Sequence, residues 1–187
     1  MRTLKRILFV SILFTISITA HAQKSDNTDG TIFVGPQFSF ALKEPAGWIM
    51  DTEIAKSQNL QAVLYRQGSS WKNGVAVMYA RVVHKDETQA TVEKVISNDI
   101  DDFLKLSKDS TVSSSASLET RDNKKGIVKI FYDAANKNYE SVVFIDEPKV
   151  VVILALSSRN QSEYEKTLPV FKALVGSYFF FTPLVSP

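Results

Sequence analysis

The chain of 187 residues contains no cysteine. This absence excludes disulfide bonds, thiol catalysis, cysteine-ligated zinc and iron–sulfur clusters. Glycine is also sparse, because the 7 glycines are scattered singly along the chain. Neither a phosphate-binding P-loop nor a glycine-rich dinucleotide fingerprint is present. An apolar core alone must therefore hold the fold together, and the common nucleotide-binding loops are excluded.

The first 22 residues have the three-part pattern of a secretory signal peptide. A short basic segment precedes an apolar run from 7 to 18, and an Ala-x-Ala cleavage site places the cut between Ala22 and Gln23. The apolar run is shorter than the roughly 20 residues that a transmembrane helix needs. The pattern predicts export to the periplasm or the medium, with no stable membrane anchor after cleavage.

Cleavage at this position changes the charge of the chain. It removes three positive charges, those of Arg2, Lys5 and Arg6, so the net charge goes from +2 to −1. Because nucleic-acid binding depends on clustered Lys and Arg, a nucleic-acid partner is not expected. His84 is the single histidine that remains, and without the G-x-S-x-G motif we interpret it as a solvated loop residue.

Residues 23–32 are predominantly polar and are interpreted as a flexible linker, and residues 33–182 as one folded domain. The domain is organised around the strand 38–42, whose alternating Phe, Phe and Leu predict one buried face. A Pro-x-Gly-Trp corner follows and ends at Trp48. We interpret Trp48 as a packing anchor, with ligand stacking as the alternative.

Strand and helix patterns fill the rest of the domain. A helical apolar period predicts an amphipathic helix at 88–108, and a capping box at Ser162 opens a second helix that contains Pro169. The further predicted strands are 60–66, 75–83, 112–120, 127–133, 139–145, 150–156 and a short terminal one in 178–181. Short polar connections indicate antiparallel hairpins. The run 150–156 has no polar residue, which places it centrally with both faces covered.

Three features resemble the Mog1/PsbP-like superfamily: the Phe-Ser-Phe strand at 38–40, the corner at 45–48, and a C-terminal helix leading into Ser-Tyr-Phe-Phe at 177–180. That superfamily includes a photosystem II subunit, a Ran-binding nuclear protein and exported bacterial proteins. The resemblance implies an α+β fold, an α/β/α sandwich with a central antiparallel sheet of about six to seven strands and two main helices. It also implies binding rather than catalysis, and none of the family's functional residues maps onto this chain.

The acidic residues are interpreted as surface charge. Asp99, Asp101 and Asp102 belong to the predicted helix and lack the bent, glycine-containing loop of a calcium site. The carboxylates available for a glycosidase-type pair are Glu44, Asp51, Glu53 and Glu140, and ordinary surface charge explains them. No metal and no other cofactor is expected.

The loop 67–74 is the candidate recognition site. It places Trp71 between two glycine turns, outside any strand period, with Lys72 and Asn73 beside it and Arg66 just before it. Loops carry recognition, and an exposed Trp is costly unless it contacts a partner. The alternative is that Trp71 folds back over the sheet edge as a lid on the core.

These observations predict an exported, non-enzymatic accessory module that binds another envelope protein, through a sheet edge or through the Trp71 loop. The alternative is a small-molecule or lipid carrier with an apolar cavity between sheet and helix. A hydrolase that uses carboxylates or a Ser is the least favoured function, because no catalytic motif supports it.

Overall fold

The described residues form two antiparallel sheets of unequal size and three helices. The computed structural model describes residues 21–24, 30–86, 90–106 and 109–181. The strands are β1 His21–Lys24, β2 Thr31–Gly35, β3 Phe38–Leu42, β4 Trp48–Asp51, β5 Ala62–Arg66, β6 Ala76–His84, β7 Thr111–Ser114, β8 Leu118–Glu119, β9 Lys125–Asp133, β10 Asn138–Asp146, β11 Val150–Ser158 and β12 Phe179–Phe180. The helices are α1 Thr52–Ser57, α2 Val92–Leu106 and α3 Gln161–Gly176.

The main sheet has eight strands in the order β4-β5-β6-β11-β10-β9-β7, with β8 also paired to β9. Each pair of neighbours is antiparallel. β11 lies in the middle of this order, and all its residues from Val150 to Leu156 are fully buried. The prediction that the run 150–156 is the central strand is therefore confirmed, because a strand covered on both faces needs no polar alternation.

Two helices cover opposite faces of the main sheet. On one face, the buried side chains of α3, including Phe171 and Leu174, pack against Leu154 of β11. On the other face, Val95 of α2 packs in a second cluster with Phe144 of β10. These layers form the α/β/α sandwich that the PsbP-like resemblance implied, so the predicted fold class is confirmed. No helix in the described part of the chain is long and apolar enough to cross a bilayer.

A smaller sheet of order β1-β2-β3-β12 lies beside the sandwich. The alternation in β3 is confirmed, since Phe38, Phe40 and Leu42 are all buried. Phe40 stacks on Phe33 at 5.1 Å and on Tyr178 at 5.5 Å between ring centroids. The prediction that the domain is organised around this strand is wrong, because β3 belongs to the smaller sheet. The 45–48 corner, closed by a hydrogen bond from Trp48 N to Pro45 O and by a positive φ at Gly47, redirects the chain.

The prediction of a flexible linker at 23–32 is wrong at both its ends. Gln23 and Lys24 lie in β1 and pair with Ile32 and Thr31 of β2. The reason is that β2 would otherwise present unpaired backbone groups on that edge, and β1 satisfies them. Residues 1–20 and 25–29 lie outside the described residues. The signal peptide and its cleavage between Ala22 and Gln23, two residues that lie within β1, stay predictions.

The helix boundaries contain two further differences from the sequence interpretation. Asn160, rather than Ser162, caps α3, because its Oδ1 accepts a hydrogen bond from Glu163 N at 3.0 Å. The helix α1 was not predicted. It has six residues, and Asp51 caps it by accepting from Ile54 N at 2.8 Å. Six residues are too few for a helical apolar period to be recognised.

Candidate functional site

A polar cleft opens at one end of the main sheet, on the face that α2 covers elsewhere. Strand pairing aligns Glu140 of β10 with Ser157 of β11, and Ser157 with Val77 of β6. Towards the middle of the sheet, the same face carries apolar residues such as Val142 and Phe144, which α2 covers. The polar end is left open, and it forms a cleft of about 560 Å³.

Asp133 forms one acidic corner of the cleft, in the hairpin between β9 and β10. Its Oδ1 accepts from Ala135 N at 3.0 Å and from Asn136 N at 3.3 Å, and its Oδ2 accepts from Asn136 Nδ2 at 2.6 Å. The hydrogen bonds from Asn136 and Ala135, together with the positive charge of Arg159, hold the pKa of Asp133 below its usual value. Asp133 is therefore an anion with a fixed orientation.

Glu140 lies next to Asp133 on the floor of the cleft and is half-buried. Its Oε1 accepts a hydrogen bond from Asn138 Nδ2 at 2.8 Å, and Ser157 Oγ donates to Asn138 Oδ1 at 3.1 Å. Burial raises the pKa of Glu140, and the nearby charge of Asp133 acts in the same direction. Hydrogen bonds thus orient this carboxylate while its surroundings penalise its negative charge.

The opposite side of the cleft is apolar and is formed by Trp71, Val75 and Val77. Trp71 is half-buried, and its ring meets that of Tyr79 edge-on at 6.4 Å and 90°. The loop that carries Trp71 is closed by local hydrogen bonds, one of them from Gly74 N to Ser70 O at 2.8 Å. The ring of Trp71 packs on the sheet, as expected for a lid on the core, and it also forms a wall of the cleft, as expected for a recognition residue.

Two cationic side chains, Lys72 and Arg159, border the cleft and are exposed. In the part of the chain that the structure describes, neither of them takes part in an ion pair. Together with Asp133 and Glu140 they give the cleft two formal charges of each sign. The cleft therefore presents hydrogen-bond acceptors, hydrogen-bond donors and an apolar wall within one concave surface.

A second groove of about 300 Å³ continues from the cleft along the same sheet face, and Glu140 borders both. Phe103 of α2 and Phe131 of β9 line it, in edge contact at 4.9 Å between ring centroids. An ion pair between Arg81 and Asp99 also lines this groove. The groove is thus partly apolar, but it is bordered by charged side chains.

The structure brings only part of the predicted site together. Trp71 and Lys72 line the cleft. Asn73 supports the loop instead, because its Oδ1 accepts from both Ser70 N at 2.8 Å and Ser70 Oγ at 2.7 Å. The assignment of Arg66 to this site is wrong.

The side chain of Arg66 lies on the opposite face of the sheet. Its Nη2 is 3.5 Å from Oε2 of Glu163 in α3, and its guanidinium covers the ring of Trp48. The reason is the alternation along β5, in which Leu64 and Arg66 point to α3 and Tyr65 points to the other face. Trp48 is itself buried, which confirms its interpretation as a packing anchor.

Most other acidic candidates have local structural roles. Glu44 Oε2 accepts from Met50 N at 2.6 Å, and Glu53 pairs with Lys56 on exposed α1. Asp99 pairs with Arg81 and Asp102 with Lys105. Among the described residues, no group of His, Asp and Glu side chains is arranged to hold a metal ion.

Sequence reasoning missed Asp133, Arg159 and the half-buried position of Glu140. A signal for Glu140 exists, because Asn138 and Glu140 share the strand alternation of Val142 and Phe144. Polar residues in phase with a buried apolar face indicate a site where that face is open.

No protein-family model matches the chain, and no curated protein matches it. Among solved structures, it is similar to the solution structure of cyanobacterial PsbP (CyanoP) from Synechocystis sp. PCC 6803, with 13% identity and a TM-score of 0.49 over 89% of this chain and 96% of that one. It is also similar to a crystal structure from Bacteroides thetaiotaomicron VPI-5482, with 8% identity and a TM-score of 0.41 over 83% of this chain and 50% of that one. Similarity at these identities assigns neither a ligand nor a partner.

Proposed function

We propose that this chain is an exported, non-enzymatic binding module of the cell envelope, and that it recognises another envelope protein at the cleft beside Trp71. The observation that carries the proposal is the cleft itself. A rigid eight-stranded sheet holds its floor, and a loop supplies an aromatic wall. Half-buried aromatic side chains next to oriented polar groups are typical anchors of protein recognition.

Binding is favoured over hydrolysis by the state of the two carboxylates. The three hydrogen bonds to Asp133 come from its own hairpin and lower its pKa. Near neutral pH this carboxylate is therefore ionised, so it has no proton to donate and is a weak base. Ser157 Oγ lies 3.1 Å from Asn138 Oδ1 and also forms a hydrogen bond with Glu140, and His84 lies at the far end of β6. Among the residues that the structure describes, no histidine lines the cleft, so Ser157 lacks the base of a Ser–His pair.

A lipid carrier is the weaker alternative. The space between α3 and the main sheet contains fully buried side chains such as Leu154 and Leu174. On the other face, the groove of about 300 Å³ is at the lower end of ligand-pocket volumes and is bordered by the Arg81–Asp99 ion pair. These features favour a polar ligand over an acyl chain.

Photo-crosslinking in the host envelope tests the proposal. A photoreactive residue replaces Lys72 at the cleft, and the same residue replaces exposed Lys56 on α1 as the matched control. We expect one discrete crosslinked partner from position 72 and none from position 56. The mature protein recovered in the same experiment should begin at Gln23, which tests export and cleavage.

The Trp71→Ala variant then tests the aromatic wall. Removal of an interface Trp that acts as a hot spot costs about 2 kcal/mol or more, which weakens binding of the isolated partner about 30-fold. Trp71→Phe retains packing on Tyr79 and should lose less. If Trp71→Ala folds normally and recovers its partner at the level of the unmodified chain, the cleft is not the recognition site.

A further inference from the structure

The two sides of the cleft differ in chemical character. The side formed by β6 and its preceding loop is apolar, with Trp71, Val75 and Val77. The side formed by the β9–β10 hairpin is acidic, with Asp133 and Glu140. A ligand that fills the cleft therefore contacts an apolar wall on one side and two carboxylates on the other.

On the acidic side, the positive charge of Arg159 helps to keep Asp133 ionised, whereas Glu140 has no cationic partner within the described ranges. Neither Asp133 nor Glu140 takes part in an ion pair there. The groups that hydrogen bond to the two carboxylates are neutral: the amides of Asn136, Asn138 and the backbone, and the hydroxyl of Ser157. A half-buried carboxylate without a cation is costly, and burial accordingly raises the pKa of Glu140. A positively charged ligand group would remove this cost.

We propose that the cleft binds a primary ammonium group carried next to an apolar side chain, as at the amino terminus of a peptide. The ammonium lies between Asp133 and Glu140, and the apolar side chain lies against Trp71 and Val77. An ammonium has three donors and no acceptor, which matches two oriented carboxylates. Capture of a terminal amine is an established mode of peptide recognition. The inference rests on the proposed function, since it specifies which part of the partner enters the cleft.

The cationic border fits the same ligand. In a peptide, the first carbonyl group follows the ammonium by two bonds, so it lies on the same side of the ligand. Arg159 and Lys72 are exposed at the border and are hydrogen-bond donors only. They bind peptide carbonyl oxygens, or the carboxylate when the ligand is a free amino acid. A peptide amino terminus and a free amino acid therefore offer the cleft the same ammonium and apolar groups, and the titration distinguishes the two ligands.

Calorimetric titration of the chain that begins at Gln23 tests the proposal. The probes are tripeptide amides, with each of the twenty residues in first place followed by two alanines, and the same peptides with an acetylated amino terminus. We expect peptides with a large apolar first residue to bind, and acetylation to weaken binding at least tenfold. Free leucine and free phenylalanine form the second set of probes, and binding as tight as that of the peptides identifies a free amino acid as the source.

Glu140→Gln tests the assigned position of the ammonium. This variant keeps the shape of the side chain and an oxygen that accepts from Asn138, so it should fold with unchanged circular dichroism. We expect it to weaken peptide binding about 10- to 100-fold, because a charge-assisted hydrogen bond is lost. The matched control is Glu53→Gln on α1, which lies outside the cleft and should bind as the unmodified chain does.

Three results would overturn the inference: no member of the peptide set binds, acetylated and free peptides bind equally, or Glu140→Gln binds as well as the unmodified chain. If one of these occurs while the crosslink at position 72 still depends on Trp71, the inference fails and the proposed function stands. If free peptides bind and the crosslink is absent, the protein-partner function fails while the assigned ligand chemistry is supported.

Discussion

Replacing Tyr178 with Phe removes one hydroxyl group from a buried polar cluster between the C-terminal segment and the main sheet. Tyr178 is fully buried, and its hydroxyl donates to Glu147 Oε1 at 2.9 Å. Lys124 pairs with the other carboxylate oxygen, and the side chain of Glu147 has no exposed surface. The change leaves a carboxylate oxygen without one of its donors, and it adds no bulk.

The expected cost depends on pH through Glu147. Burial raises the pKa of this carboxyl above its usual 4.5, while hydrogen bonds from Lys124 and Tyr178 lower it. A raised pKa means that the folded state holds the proton more tightly than the unfolded state does. The Glu147 contribution therefore makes the protein more stable as pH falls through the folded pKa towards 4.5. At neutral pH the ionised form is present, and that form needs the Tyr178 hydroxyl most.

The magnitude follows from the type of hydrogen bond. A hydrogen bond to a charged group contributes about 1.5–3 kcal/mol, and a neutral one about 0.5–1.5 kcal/mol. We expect Tyr178→Phe to lower the free energy of unfolding by about 2 kcal/mol at pH 7 and by about 1 kcal/mol near pH 4.5. For a chain of this length, a loss of about 2 kcal/mol corresponds to a decrease in Tm of about 4–8 °C.

Urea denaturation followed by circular dichroism at both pH values measures the effect. Tyr139→Phe is the matched control, because its hydroxyl donates to Gln161 Oε1 at 3.2 Å at an exposed position. That variant should lose less than about 0.5 kcal/mol at either pH. If Tyr178→Phe costs no more than Tyr139→Phe at pH 7, Glu147 is not an ionised, buried acceptor.

Two further predictions concern the fold. Asn160→Ala should cost about 1 kcal/mol in urea denaturation through loss of the α3 cap, whereas Ser162→Ala should stay within about 0.5 kcal/mol. Equal losses would contradict the cap assignment. Gly126→Ala should cost about 1–3 kcal/mol, because the added Cβ would lie 2.4 Å from Val143 Cγ1. An unchanged midpoint would show that β9 and β10 adjust freely at this contact.

Strand positions were predictable because burial imposes a period of two on the sequence. This holds for β3, β9 and β10, whose bounds match the predicted runs within a few residues. Helix caps were less predictable, since Asn160 and Ser162 both suit an N-cap and only the backbone geometry selects one. The separation of β3 from the main sheet depends on the direction in which the 45–48 corner turns the chain. No periodic hydrophobic pattern in the sequence encodes that direction.

The candidate site was predictable only where the local sequence is unusual. Trp71 and Lys72 stand in a glycine-bounded loop, and both line the cleft. Arg66 was misplaced because closeness in sequence does not determine which sheet face a strand residue occupies. Glu140 was interpreted as ordinary surface charge and Asp133 was not singled out, since a single sequence does not show which end of a sheet a helix leaves uncovered.

The amino-acid sequence by itself determined what chemistry is absent and where buried strands and helices form, because composition and hydrophobic period are local properties. Only the tertiary structure decided that Trp71 faces Glu140 and that Arg66 lies on the other side of the sheet. The position of Glu140 beside the Trp71 loop depends on the pairing of β10 with β11 and of β11 with β6, and β6 and β11 are far apart in the sequence. The face that Arg66 occupies depends on the pairing of β5 with its neighbours. A shift of one residue in the register of β5 or of β10 would move Arg66 or Glu140 to the opposite face of the sheet.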